Sequence, residues 1–499
     1  MQSESLEKNI NKIINIIGAK SNLVIKEFFI GEKRPLEGIV IYMNGLANKD
    51  TINRDILNPL MHNVYEDLTG TEDIGLYLCK RYISSSNTTV VTNIYTASQE
   101  LKRGKTIIIV CNSNEYIIVD TKGGEYRSIT EPTSETAIRG AKEGFVENLE
   151  TNISILRRRI KDKSLVIEKL IVGRRSQTDV AIIYIQDIVD KNIVDELKKR
   201  LNAIDVDFIT GSGQIKQYIE DYTYTPFPQT FGSERPDIIE ANLMDGRVAV
   251  ITEGTPHVFT APTLFVDFFH AVEDYNQRTA VTSFTRILRI LAVFIVITLA
   301  PIYLTLLKFN EELIPVKFIT PIIQSRVGIS LTPFLEILSM QIVIEFLREG
   351  GLRLPNKIGQ TLSLVGGIII GDTVVKSKVV SPTTLLIIGI TVIATFLIPT
   401  YDMALVIRLV QYPMLLLANF LGIFGIAVGW YFLMVHLCSL DSFGVPYLQF
   451  NKNDLKDIFI RAPLWKMNKR PESIPNINPT KQTDFRNNFK ENNNEQNPK

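Results

Sequence analysis

The sequence predicts an α/β cytoplasmic head of two subdomains followed by an α-helical, multi-pass membrane domain. Up to about residue 285, strand-like apolar runs alternate with helix-like amphipathic ones. Residues 287–438 are instead dominated by apolar runs of 17 residues or more, a length that suits a hydrocarbon core about 30 Å thick. The average conceals this division, because 45% apolar and 21% charged residues over 499 positions are ordinary for a globular protein.

In the first subdomain, residues 1–130, "VIKEFFI" (24–30) and "GIVIYM" (38–43) read as strands. A helix is expected across "DTINRDILNPLMHNV", then strands at "TTVVTNIY" and "KTIIIVCN". The second subdomain, residues 131–285, opens with a longer helix through "GFVENLETNISILRRRIKD". The order "DVAIIYIQD", "NIVDELKKRLNAI", "DVDFIT" then reads as strand, helix, strand, which predicts a βαβ unit with parallel strands. A hairpin over "LMDGRVAVITEGTPHVFT" closes the head, with turns at Asp245-Gly246 and Gly254-Thr255-Pro256.

The membrane domain, residues 286–438, begins with "ILAVFIVITLAPIYLTLL" (290–307). Arg278, Arg286 and Arg289 precede it and put that end in the cytoplasm. "LTPFLEILSMQIVIEFLREG" (331–350) is interrupted by Glu336, Gln341 and Glu345 and reads as re-entrant, interfacial or interior-facing. "TLSLVGGIIIGDTVVKSKVV" (361–380) and "TTLLIIGITVIATFLIP" (383–399) follow. The 35 apolar residues from Met403 to Leu437 would make one helix roughly 52 Å long. A bend or break is expected at Pro413 or near Gly422, Gly425 and Gly429.

Lys452, Lys456, Arg461, Lys466, Lys469 and Arg470 in the C-terminal segment, 439–473, keep that end in the cytoplasm as well. Both ends inside requires an even number of crossings. The favoured set is four, at 290–307, 361–380, 383–399 and 403–437; the rival keeps 331–348 as a crossing and makes 361–380 re-entrant. The asparagine-rich tail, 474–499, reads as disordered. The opening residues lack the layout of a secretory signal peptide.

Little points to catalysis. No phosphate-binding P-loop, HExxH or GxSxG occurs, and His62, His257, His270 and His436 are dispersed. Cys79, Cys111 and Cys438 form neither a metal-type spacing nor a disulfide framework, so no cofactor or metal is expected. Gly211-Ser212-Gly213 reads as a turn with a helix cap, and the arginines at 157–159 and 174–175 lack the interleaved aromatics of a nucleic-acid surface. A net charge of +1 gives no general attraction to nucleic acid.

Five stretches carry a resemblance: "EPTSETAIRGAKEGFVENLETNISILRRRIKD" (131–162), "FPQTFGSERPD" (227–237), "EDYNQR" (273–278), "REGGLRLPNKIGQTLSLVGGIIIGD" (348–372) and "HLCSLDSFGVPYLQF" (436–450). Together, in this order, they resemble the A subunit of GerA-type spore germinant receptors from about residue 45 to 470, and "YMNGLANKDTINRDILNPL" is similar too. The resemblance implies a multi-pass subunit in the spore inner membrane, with a transporter-like, nutrient-sensing B subunit and a lipoprotein C subunit as partners. It further implies a homo-oligomer, a pentamer, that forms a nutrient-gated channel for monovalent cations. Met340-Gln341, Glu253-Gly254 and Ser377-Lys378 depart from the expected pattern and weaken any transfer of pore-lining positions.

Among candidate site residues, Ser363, Gly367 and Gly371 recur every four positions and would let helices approach closely. Asp372 and Lys376, spaced i, i+4, can pair. Lys376 and Lys378 can snorkel to the interface, whereas Asp372 would lie roughly 20 Å along a helix that starts near Ile358. Around an oligomer axis Asp372 would make a carboxylate ring that favours cations, a field that a Lys376 pair would largely cancel. Glu336 and Glu345 are rival acidic linings. Arg408 is expected to snorkel, to pair with Asp402 or to gate, the first two together on equal terms with the third. In the head, Arg139, Arg157, Arg158, Arg159, Arg235 and Asp237 fall inside the resembling motifs and are candidates for subunit-interface ion pairs, with ordinary pairs inside one subunit the plainer reading. The functional expectation is a non-enzymatic receptor subunit that conducts cations as an oligomer; the alternative is a non-conducting scaffold that couples a nutrient-binding partner to a separate channel.

Overall fold

The computed structural model describes residues 10–16, 23–31, 35–43, 46–68, 73–111, 113–123, 131–132, 135, 139–353, 367, 371–451, 454–458, 460–483 and 485–486. The chain divides into two compact units, Met1–Tyr126 and Arg127–Lys499.

In the first unit, β1 (Leu23–Ile30) and β2 (Leu36–Met43) pair as an antiparallel hairpin. Helix α1 follows, in which Lys49–Thr51, Ile52–Leu57 and Asn58–His62 run on as one rod with a π-helical middle, and then α2 (Ile74–Arg81). The unit closes with β3 (Thr88–Val91), α3 (Ile94–Lys102), β4 (Thr106–Val110) and β5 (Tyr116–Val119). The sheet order is β1-β2-β4-β5-β3, antiparallel throughout. "TIIIV" and "YIIV" in β4 and β5 are apolar on both faces and fully buried, as central strands covered on two sides must be. Ile52, Ile56 and Leu60 of α1 and Leu78 of α2 cover one face, and Ala97 and Leu101 of α3 with Ile13 cover the other.

The second unit begins with the same design. Helix α4 (Leu149–Arg159) leads into β6 (Leu165–Val172), β7 (Thr178–Ile185), α5 (Lys191–Ala203), α6 (Ser212–Ile219), β8 (Phe231–Ser233), α7 (Pro236–Met244), β9 (Val248–Thr252) and β10 (Val258–Ala261). The order β6-β7-β9-β10-β8 is the topology of the first sheet, again antiparallel. Six of the elements recur at an offset of 142 residues, 23 to 165, 36 to 178, 49 to 191, 94 to 236, 106 to 248 and 116 to 258, with α2 to α6 at 138 and β3 to β8 at 143. Local detail recurs with them. Gly31 and Gly173, 142 apart, both take positive φ after the first strand, at 85° and 91°, a conformation that costs glycine little. Asn48 and Asp190 cap α1 and α5 by accepting from the backbone N–H two residues on. The head is thus an internal duplication.

This duplication corrects the expected parallel βαβ unit. Directly after α5 the chain passes to α6 before it re-enters the sheet at β8, and β9 rather than residues 205–210 pairs with β7. Residues 205–210 instead run as an irregular edge whose carbonyls at Val206 and Asp207 accept from the Arg174 and Arg175 amides at 2.7 and 2.8 Å.

The remainder of the second unit is helical: α8 (Thr279–Lys308), α9 (Val316–Arg326), α10 (Pro333–Leu352), α11 (Pro382–Thr395) and α12 (Tyr401–Ser439). Among the described residues, α8 and α12 are long and apolar enough to cross a membrane. The break expected near Gly422 is present, and it reverses the chain: α12 folds back on itself, which corrects the expectation of a single crossing over 403–437. Gly422 leaves the helical region at φ 62°, ψ −139°. A Cβ at Gly425 would lie 2.1 Å from Leu417 O, and one at Gly429 would lie 2.2 Å from Met414 Sδ. Residues 414 and 429 would be about 22 Å apart on a straight helix. Gly425 lets the two arms touch backbone to backbone, and Gly429 makes room for the Met414 side chain.

A short hairpin, β11 (Asp441–Ser442) and β12 (Val445–Pro446), follows α12. The expected disorder of 474–499 is also corrected in part. Ile474 is fully buried, Ile477 N donates to Ile188 O at 2.8 Å, and Lys481 pairs with Asp245 at 2.7 Å. Residues 474–483 therefore dock on the head in spite of their polar composition, through backbone bonds that composition does not register.

Candidate functional site in the helical domain

The helical domain is tied to the head by buried charge. Asp274, 1% exposed, accepts from Arg286 Nε at 3.0 Å and from Arg289 Nη1 at 2.7 Å, both on the first turns of α8. Arg286 also reaches Asp457 at 2.7 Å, and Arg461 Nη1 donates to Gln277 O at 3.0 Å, so the C-terminal segment is clamped to the foot of α8. The arginines take part in this network because their forked donors can bridge several acceptors at once. Both ends of α12 meet the same head. Thr400 Oγ1 donates to Phe268 O at 2.9 Å, and Thr225 Oγ1 and His436 Nε2 are 2.8 Å apart.

A second junction joins α6 to the start of α12, where Lys216 Nζ lies 3.9 Å from Asp402. Lys216 and His257 lie side by side over Gly232, at which a Cβ would come 1.9 Å from His257 Cε1 and 2.4 Å from Lys216 Nζ. Burial holds the Lys216 ammonium below its usual range and pulls the His257 imidazole down to about 4. Burial also pushes the Glu135 carboxyl up to about 7.

Within the helices the acidic candidates are engaged inside the subunit. Glu336, 0% exposed on α10, pairs with Arg326 of α9 at 2.8 Å and accepts from Ser381 N and Thr384 Oγ1, each at 3.0 Å. Glu345, further along α10, pairs with Arg348 at 3.2 Å and with Arg408 of α12 at 3.0 Å. Arg408 thus takes Glu345 as partner, whereas Asp402 faces Lys216, pairings that spacing does not signal because the groups are far apart along the chain. Gln341 is buried beside this cluster with neither amide atom hydrogen-bonded.

Gly367 and Gly371 have open space where a Cβ would project, among the described residues. Asp372 pairs with Lys376 at 2.6 Å, with both side chains exposed. Ser363 lies outside the described residues. In the head, Arg235, 1% exposed, is fixed within the subunit by Asp237 at 2.7 Å and by the carbonyls of Glu135 and Ala141. Arg158 pairs with Glu143, and Arg159 with Glu240 at 2.7 Å. Arg139 and Arg157 are exposed. The helix-start clamp of Asp274, Arg286, Arg289 and Asp457, and the Lys216–Asp402 junction, were not found from sequence. The available signals were the "EDYNQR" motif, which contains Asp274, and the arginines Arg286 and Arg289 at the foot of the first apolar run.

Known proteins match along almost the whole chain. The family described as Bacillus/Clostridium GerA spore germination protein matches residues 11–473. Spore germination protein KA of Bacillus subtilis is 38% identical over 476 residues, covering 95% of this chain and 87% of that protein. Spore germination protein GerLA of Bacillus cereus is 33% identical over 478 residues, covering 94% and 96%. Among solved structures, the N-terminal domain of the A subunit of the Bacillus megaterium spore germinant receptor GerK3 is 32% identical over 52% of this chain and 95% of its own, with a TM-score of 0.22. The chain belongs to the GerA family of spore germination proteins.

Proposed function

We propose that this chain is the A subunit of a spore germinant receptor and that it takes part in nutrient-triggered germination by oligomerising into a cation-conducting path through the spore inner membrane. The observation that carries the reading is the face around Gly367, Gly371 and Asp372. Among the described residues its glycines have open space where a Cβ would project and its carboxylate is exposed, while the rival acids Glu336 and Glu345 are neutralised within the subunit. A second copy packed on the glycines would bring Asp372 towards a shared axis.

The contacts support a bundle with two levels. Arg286, Thr400 and His436 meet the head. At the far level, Lys308 Nζ donates to Asn419 O at 2.8 Å, and Tyr303 Oη lies 2.8 Å from Thr383 Oγ1. On this reading α8 leads away from the head, α10 and α11 lead back, and the two arms of α12 leave and return. These described segments supply five crossings, with both chain ends on the cytoplasmic side. The nutrient-sensing B and lipoprotein C subunits supply the signal.

Purified receptor reconstituted in liposomes tests the proposal. Nutrient-dependent monovalent cation flux is expected, reduced by Gly367→Leu and altered in selectivity by Asp372→Asn. Assembly without flux, or flux indifferent to both variants, overturns it. The non-conducting scaffold is favoured by one observation, the 2.6 Å Asp372–Lys376 pair, which weakens any carboxylate field.

A further inference from the structure

The two repeats of the head differ at the ends of their paired helices. In the second, the ends of α5 and α6 form a groove that the β11–β12 turn fills. Phe443, 7% exposed, joins the apolar cluster of Leu201 and Ile219 and lies 4.5 Å from the Arg200 guanidinium carbon. The hairpin and the end of α12 before it are held as well: Tyr222 Oη donates to Ser439 O at 3.2 Å and the Ser442 hydroxyl donates to Gln229 O at 2.7 Å.

In the first repeat the corresponding place is an open cavity of about 540 Å³ whose lining includes Pro59, Tyr65, Glu66, Arg81, Tyr82 and Ser84. Pro59 corresponds to Leu201 at the 142-residue offset, and Arg81 and Ser84 correspond to Ile219 and Tyr222 at the 138-residue offset between α2 and α6. The wall is already ordered. Tyr77 Oη donates to Glu66 at 2.8 Å, Tyr82 Oη donates to the other carboxylate oxygen, and Arg81 pairs with Glu66 at 2.9 Å. The Arg81 guanidinium carbon stands 5.9 and 5.8 Å from the Tyr77 and Tyr82 ring centres. Tyr65 is 60% exposed at the rim. The helix that carries Pro59 also contains the π-helical Ile52–Leu57, whereas its counterpart α5 is plain α-helix; π-helical turns recur at functional sites.

We propose that this groove is a docking site for a partner polypeptide that inserts a turn bearing an aromatic side chain, as Phe443 does in the second repeat. Arg81 and the tyrosine faces offer the cation–π and edge contacts such a ring takes. Tyr and Arg are also the residue types that concentrate binding energy at interfaces. The chain's own aromatic turn is engaged in the second repeat, and the proposed occupant is a turn of a different polypeptide.

Photocrosslinking in the intact receptor tests this. With p-benzoylphenylalanine in place of Tyr65 in the full chain, irradiation is expected to yield a cross-link to a second polypeptide, mapped by mass spectrometry to a turn within a few residues of an aromatic side chain. The yield is expected to fall by about tenfold or more in the Arg81→Glu and Tyr82→Ala variants. Both residues lie outside the buried core, and receptor abundance and assembly serve as the check on folding. Absence of any cross-link, links confined to copies of this chain or to lipid, links remote from any aromatic residue, or links that survive both variants would each overturn the proposal.

Discussion

The fold-back of α12 makes a prediction whose sign depends on the tertiary structure. In Gly425→Ala the new Cβ would lie 2.1 Å from Leu417 O and 2.6 Å from Leu417 C, main-chain atoms that no rotamer change can move. Restoring an ordinary 3.4 Å contact requires the two arms to part by about 1 Å. Overpacking of this kind costs about 3 kcal/mol at the upper end of its usual range, and alanine returns about 1 kcal/mol of helix propensity, so the expected net loss is about 2 kcal/mol. Gly429→Ala differs because its Cβ would meet Met414 Sδ at 2.2 Å, the far end of a flexible side chain that can swing aside. Its expected effect is within about 1 kcal/mol of zero, and Met414→Ala should remove the remaining clash. On a straight rod both substitutions would stabilise by about 1 kcal/mol. Thermal unfolding of the purified protein in detergent, followed through Trp430, whose ring lies 4.9 Å from Phe294, reads the difference. A Gly425→Ala protein as stable as wild type, or more stable, refutes the helical hairpin.

Glu345→Gln leaves Arg348 and Arg408 without their shared carboxylate and is expected to cost about 2 kcal/mol, less than a fully buried pair because Glu345 is a third exposed; Arg348→Gln, which keeps the Arg408 pair, should cost less in the same melting assay. Asp274→Asn removes the acceptor shared by two arginines at a site 1% exposed and should cost about 3 kcal/mol, with the segment around Asp457 becoming sensitive to limited proteolysis. Glu135 has its folded-state carboxyl raised to about 7 from 4.5, so the folded protein holds this proton more tightly, and stability present below about pH 4.5 is lost as pH rises through 7; Glu135→Gln should flatten that limb of a melting-temperature profile. His257 works in the opposite sense: its folded value near 4 lies below the usual 6.5, so the unfolded chain gains the proton first and stability falls as pH drops from about 6.5 to 4, a slope that His257→Gln should remove.

Much of the architecture was legible, and for identifiable reasons. The central strands β4 and β5 are short β-branched runs, and α8 is an uninterrupted apolar run with arginines at its foot. The place of the break in α12 was legible too, since Gly422 stands among the glycines singled out, but not its angle: glycine permits a reversal without requiring one. The duplication was present in the sequence and went unread. Leu23-Val24-Ile25 matches Leu165-Val166-Ile167, Ile41-Tyr42 matches Ile183-Tyr184, and Gly104 matches Gly246, all at 142 residues. Identity elsewhere is sparse, because strands and helices need only the apolar pattern. The site residues fared less evenly. Asp372 and Lys376 pair as their four-residue spacing allows, but Glu345 with Arg408 and Arg81 with Glu66 are fixed by contacts that spacing does not encode.

By itself the sequence determined what local chemistry can settle: where strands and helices form, which runs are apolar enough for a bilayer, and, through its motifs, the family. Tertiary structure decided the antiparallel order of both sheets, the reversal at Gly422, the docking of residues 474–483 and the partner of each buried charge. The physical reason is common to all four. Each depends on contacts between residues far apart in the chain, where packing and the cost of leaving a charge or a backbone amide unpaired select among arrangements that local propensity leaves equivalent.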